Sequence, residues 1–163
     1  MDEYNENGRR TELIRGLVIE KMGKTPLHRT ATSLLYDLLT AQLPQGYSVW
    51  KEEPITLADS EPEPDISVTR GQRKDFARAH PRTAELVIEI AVSNPALDRE
   101  NAGLYAEAGV KEYWIVIGLS RTVEVYRRPQ KGRYLEKQLL SENDTLQCKN
   151  LPTIRIGVAD LFL

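Results

Sequence analysis

The stretch "ELVIEIAVSN", residues 85–94, limits the fold more than any other part of the chain. A strand with one wet face alternates apolar and polar residues, whereas a run this apolar needs cover on both faces and belongs in the middle of a sheet. A second run, "EYWIVIGL" at 112–119, makes the same demand. The chain can meet it: 163 residues bury roughly 68–70% of their extended surface on folding, enough for a sheet with helices packed on it. Yet Glu89 stands at the centre of the first run. Side chains alternate along a strand, so Glu89 shares a face with Val87 and Ala91, while Leu86, Ile88 and Ile90 point the other way. An ionised carboxylate there costs several kcal/mol unless it is paired, hydrogen-bonded or bound to a cation, and otherwise its pKa rises until it is neutral. Two readings stay open at this point, a buried ion pair with one of the chain's arginines and a functional site.

The remaining elements follow from spacing and punctuation. "TELIRGLVIEKM" (11–22) reads as two short strands or one bent strand about its central Gly. In "TPLHRTATSLLYDLLTAQLPQG" (25–46), Thr25 suits an N-cap and Pro26 the first helical position. Ala31, Leu35, Leu38 and Gln42 then recur at helical spacing until Pro44 and Gly46 end the helix. "YSVWKEEPITL" is extended, and "EPEPDISVT" enters a strand through two prolines, whose fixed φ and missing N–H suit the approach to a strand rather than its middle. After the opening strand, Asn94 and Pro95 resemble a cap and first turn. One helix then continues through "ALDRENAGLYAEAGV" to Gly109, with Leu97, Asn101, Leu104 and Ala108 on one face. Strands at "EYWIVIGL", "RTVEVYRRP" and "GRYLEKQLL" and a short strand and turn in "LPTIRIGVADLFL" complete an α/β or α+β order, a mixed sheet flanked by helices.

Asp65 turns Glu89 from an oddity into half of a pair. It begins its own strand 24 residues earlier, a gap suited to neighbouring strands joined by a loop, so two carboxylates can converge at one sheet edge. Paired hard oxygens with room for water suit Mg²⁺ or Mn²⁺, which can lower the pKa of a bound water and clamp a phosphodiester. Alone, an Asp after Pro is commonplace in a surface turn. The connection "RGQRKDFARAHPRT" (70–83) carries Arg70, Arg73, Lys74, Arg78 and Arg82 against one acid, Asp75, and would hang beside the two acids. There its cations would contact phosphate, and Phe76 and His80 would offer flat surfaces to a base; a solvated loop is the plain alternative.

Several classes recede. Hydrophobic residues at 40% and charged residues at 28% argue against long disorder, and a net charge of −2 identifies no partner. Cys148, the single cysteine, has no disulfide partner and reads as a spectator thiol in a reducing compartment. No apolar stretch approaches a membrane span and the polar start "MDEYNENGRR" is no signal peptide, so a cytoplasmic protein without membrane contact is expected. One domain over 1–163 is expected, with residues 1–10 as a flexible N-terminal tail.

The ordered set "ELIRGLVIEKM", His28, "EPEPDISV", "LVIEIAVS", "LDR", "LYAEAGVKEYWIV" and "VEVYRRP" resembles the Uma-two family of restriction endonucleases, in the PD-(D/E)XK nuclease superfamily. The likeness runs from about residue 11 to the C-terminus. It implies a restriction-endonuclease-like core and metal-dependent hydrolysis of DNA phosphodiesters, with Mg²⁺ or Mn²⁺ as cofactor, DNA as partner and a homodimer as an assembly common in this fold. Asp65 and Glu89 match the metal-binding acids. Glu20 matches an auxiliary acid, and His28 a recurring His at the head of the first helix, where a histidine merely hydrogen-bonded to the loop is the plain alternative.

The lysine departs from the pattern. The superfamily places it two residues after the second acid, where Ala91 stands; the Uma-two relatives place it on the next helix, four residues before the Tyr of "LYA", where Asn101 stands. Asn hydrogen-bonds but carries no charge. Arg99, Lys21 and Lys51 are the cations that could stand in. A slow nuclease, a relocated cation and a silent DNA-binding or assembly module all remain open, alongside an interaction protein whose "EYWIV" is simply core. Trp50 and Trp114 read as packing residues.

Overall fold

The computed structural model describes residues 11–21 and 25–162; the tail expected over 1–10 lies outside them. In chain order the elements are β1 (Thr11–Ile14), β2 (Leu17–Glu20), α1 (Pro26–Gln42), β3 (Tyr47–Lys51), β4 (Ile66–Arg70), β5 (Leu86–Ala91), α2 (Ala96–Glu100), α3 (Ala102–Glu107), β6 (Glu112–Ile117), β7 (Thr122–Gln130), β8 (Arg133–Leu140), β9 (Thr145–Gln147) and β10 (Arg155–Gly157). Single 3₁₀ turns cover Arg73–Phe76 and Val158–Leu161.

Six strands form one mixed sheet in the order β3-β4-β5-β6-β7-β8. Only β5 and β6 run parallel, because α2 and α3 carry the chain back across one face between them; every other neighbour is antiparallel. The two apolar runs thus become the two central strands. Their odd and even residues feed different cores. Leu86, Ile88, Ile90, Trp114 and Val116 pack under Leu35 and Leu39 of α1 and the C-terminal segment with Leu146, Ile154 and Ile156. Val87, Ala91, Tyr113, Ile115 and Ile117 pack under Tyr105 of α3 and Val110.

Local chemistry follows the expected punctuation. The Thr25 hydroxyl accepts the His28 amide at 3.1 Å as N-cap, and Pro26 opens α1. Asn94 Oδ1 accepts the Ala96 amide at 3.0 Å, but the cap of α2 falls on Pro95, one residue later than expected. The chain turns between β1 and β2 at Arg15 and Gly16, with φ of 52° and 80°, the left-handed pair that a two-residue hairpin turn requires. The helix expected to be continuous to Gly109 instead breaks at Asn101, whose ψ of −9° closes α2 and starts α3. Cys148 is buried, and burial with the nearby charge of Glu112 pushes its thiol up to about 12, which leaves it inert. Among the described residues no helix is long and apolar enough to cross a membrane.

Candidate active site

Strands β4 and β5 form a hairpin in which Ile66 faces Ile88. One further step along that antiparallel register sets Asp65 level with Glu89. The backbone ladder stops there and a side chain replaces it: Asp65 Oδ2 accepts the Ile90 amide at 2.7 Å. The same oxygen lies 3.1 Å from His28 Nε2, brought in by the first turn of α1. Asp65 is only 5% exposed. Burial pushes its carboxyl up, but the His28 hydrogen bond, the charges of Lys21 and His28 and the Ile90 amide outweigh that and hold it below the ordinary carboxylate range.

Glu89 sits in the opposite condition. Burial first, and the charge of Asp65 second, push its carboxyl well above the ordinary value of 4.5. Tyr105, buried on α3, donates its hydroxyl to Glu89 Oε1 at a long 3.4 Å. Among the described residues no lysine or arginine pairs with Glu89 at salt-bridge distance, so the ion-pair reading of this acid finds no partner. Two carboxylates from neighbouring segments of the sheet are thus held in opposite conditions, one kept ionised by donors and one resisting ionisation.

Both line a cavity of about 300 Å³ that also takes in Glu20, His28 and Asn101, so the five candidate site residues are gathered in one place. Glu12 and Asp98 line it as well and were not anticipated. Glu12 comes from β1 and accepts the Glu63 amide at 3.0 Å. Asp98, one turn before Asn101, is pushed to about 6 by burial and by the charge of Asp65. The hairpin that delivers Glu12 and Glu20 is fastened to the segment before β4 by backbone bonds from Glu61 to Leu13 (2.7 Å) and from Gly16 to Asp59 (2.8 Å). No local pattern in the sequence announces that docking. The alternation of Glu12 with Leu13 in a half-buried hairpin was the available sign.

The basic connection does not belong here. Asp65 immediately precedes β4 and Arg70 ends it, five steps or roughly 16 Å away at strand rise. Glu89 lies towards the end of β5, whereas the connection leads into its beginning. The expectation that Arg70, Arg73, Lys74, Arg78 and Arg82 hang beside the acids is thus corrected: a hairpin puts its loop at one end of the sheet and these carboxylates lie at the other. All five cations are exposed, Arg73 reaches the Tyr36 hydroxyl at 3.2 Å, and Phe76 packs edge-on against Trp50 rather than standing clear for a base.

A family model described as "Uma2: Putative restriction endonuclease" matches residues 1–159. The chain belongs to the Uma2 family. The fold agrees with a structure titled as that of "a putative nuclease belonging to DUF820" from Anabaena variabilis, with a TM-score of 0.80 at 21% identity, covering 94% of this chain and 90% of that one. No curated protein matches the sequence.

Against the lysine expected from the Uma2 resemblance, Asn101 lines the cavity, so the position is kept while the charge is not. Of the three cations that could stand in, Arg99 turns away: its Nε bonds both oxygens of Glu124 on β7, at 2.9 and 3.1 Å. Lys51 lies over the Tyr36 ring, 5.6 Å from its centroid. Lys21 alone of the three lines the cavity. Arg99→Ala is therefore expected to leave any nuclease activity within about twofold of wild type. Its stability cost is about 0.5–1 kcal/mol, because Arg99 is half exposed and Lys137 and Tyr126 still bind Glu124. Cleavage rates and urea melts of the two proteins check both halves.

Proposed function

We propose that the chain hydrolyses DNA phosphodiester bonds with Mg²⁺ or Mn²⁺ held by Asp65 and Glu89. The convergence of these two carboxylates from adjacent strands in one cavity carries the reading. The donor set fits the ion: Mg²⁺ takes one or two carboxylates and keeps several waters and phosphate oxygens. When bound, such an ion acidifies water and polarises a phosphoryl oxygen.

The protein's own part is positional. His28 and the Ile90 amide fix Asp65 in one orientation and keep it ionised, ready for a cation, without a change in protonation. Glu89 must lose its proton for the pair to carry two charges, so cation binding draws a proton off the protein and strengthens as pH rises. Glu20 and Asn101 present further polar groups at the cavity wall. The basic connection, at the other end of the sheet, takes no part in bond cleavage.

Incubation of plasmid and oligonucleotide DNA with Mg²⁺ or Mn²⁺ tests this. Wild type is expected to cut, Asp65→Ala and Glu89→Ala are expected not to, and EDTA is expected to stop the reaction. Cutting that neither acidic substitution alters would sink the site. A wild type that is silent, with cutting once Asn101→Lys is introduced, would mark a nuclease fold that retains its metal site and has lost its activity.

A further inference from the structure

We propose that Lys21 supplies the positive charge on which cleavage in this cavity depends; the inference rests on the nuclease reading above. Glu12, Glu20, Asp65, Glu89 and Asp98 bring five carboxylates to the wall, and Lys21 is the only lysine or arginine among the described residues that lines it. In hydrolysis the water oxygen bonds to phosphorus and the bond from phosphorus to the leaving sugar oxygen breaks. The water's proton passes to solvent, and the leaving oxygen takes one up. Negative charge gathers on the phosphoryl oxygens during that exchange, facing an acidic wall. A fixed ammonium opposes the repulsion most strongly at the moment the charge is greatest, which is what lowers a barrier rather than merely tightening binding.

The placement of Lys21 suits that task. It follows directly on β2, and its Nζ donates to the carbonyl oxygen of Glu63. The amide of the same residue donates to Glu12 Oε2. Glu63 stands two residues before Asp65, so the ammonium is anchored to the very segment that delivers the first acid. A lysine stem is flexible, and anchoring its head settles its position in advance. Lys21 lines the same cavity as Asp65, Glu89 and Asp98, and its charge favours the ionised form of each. The cation expected on the helix at Asn101 thus arrives at the same cavity from a different element.

A purely structural Lys21, pinning the hairpin to Glu63, is the competing account, and Lys21→Gln separates the two because an amide keeps a donor for the carbonyl and drops the charge. Lys21→Gln is expected to cut DNA about 10²-fold more slowly at saturating substrate. DNA affinity without metal should stay within about threefold and the melting temperature should be unchanged. Adding Asn101→Lys to it is expected to restore at least a tenth of the wild-type rate. Should Lys21→Gln melt early, Lys21→Arg, which retains charge and donor, is expected to remain within about tenfold of wild type while Lys21→Met falls as Lys21→Gln does. Lys21→Gln cutting at the wild-type rate overturns the proposal and leaves the metal site standing. So does a silent wild type rescued by Asn101→Lys alone, since Lys21 would then not suffice. No cutting by either wild type or Asn101→Lys defeats the nuclease reading itself, and the proposal with it.

Discussion

Glu89→Gln is expected to lower metal-dependent DNA cleavage by about 10²- to 10³-fold and at the same time to make the metal-free protein more stable. The first half follows from charge. Gln keeps the shape and an acceptor for the Tyr105 hydroxyl, but an amide gives a divalent cation far less than a carboxylate does. The second half follows from the direction in which the acid is perturbed. Its folded-state pKa is raised, so the stability linked to its protonation is fully present below the unfolded value of about 4.5 and is lost as pH rises through the folded one. Gln mimics the neutral form at every pH. The stability gap between variant and wild type should therefore open as pH climbs above 5, by about 1.4 kcal/mol per unit until the folded pKa is passed. Melting curves between pH 5 and 9, with and without Mg²⁺, decide it. Mg²⁺ should raise the melting temperature of wild type by mass action and leave that of Glu89→Gln where it was. A variant less stable than wild type at pH 8 would mean that Glu89 is a structural acid.

Glu89 stands out in the sequence for a related reason. A carboxylate in the middle of "ELVIEIAVSN" contradicts the strand around it, and a local rule broken inside an otherwise consistent element marks function or strain. Asp65 was legible for a similar reason, since two prolines bring the chain into a strand at an acid. The central strands, α1 with its Thr25 cap and the mixed sheet were equally readable, because each is encoded in spacing over a few residues. What escaped was set by pairing over distance. The basic connection was misplaced because strand order alone does not say at which end of a sheet a loop emerges, although the positions of Asp65 at the head of β4 and Glu89 near the end of β5 contain the answer. Glu12 depends on a hairpin docking against residues 59–63, forty and more positions along the chain, and the same docking singles out Lys21 from the three candidate cations. Asp98 lines the cavity because the helix stays in register up to its break at Asn101, two residues before Gly103.

Asp65→Ala should match Glu89→Gln in activity and oppose it in stability. Cleavage is expected to fall by about 10²- to 10³-fold, since the cation loses its better ionised ligand. Here, however, the acid serves the fold as well. Its removal leaves the buried Ile90 amide without an acceptor and takes from His28 the carboxylate beside its Nε2. Among the described residues His28 Nδ1 is already buried without a partner, so the ring would be left poorly satisfied at both nitrogens. Together these cost about 2–4 kcal/mol, or roughly 5–10 °C in a domain of this size. The pH dependence runs opposite to that of Glu89. The folded pKa of Asp65 is depressed, so its contribution is present above the unfolded value of 3.8 and is lost as pH falls through the folded one. The gap between wild type and Asp65→Ala should thus be widest near neutrality and shrink in acid. Asp65→Asn, which can still accept the Ile90 amide, should recover much of the stability and none of the cleavage. Equal melting temperatures for all three proteins at pH 7 would show that Asp65 contributes nothing to the fold, and the asymmetry between the two acids would then be lost.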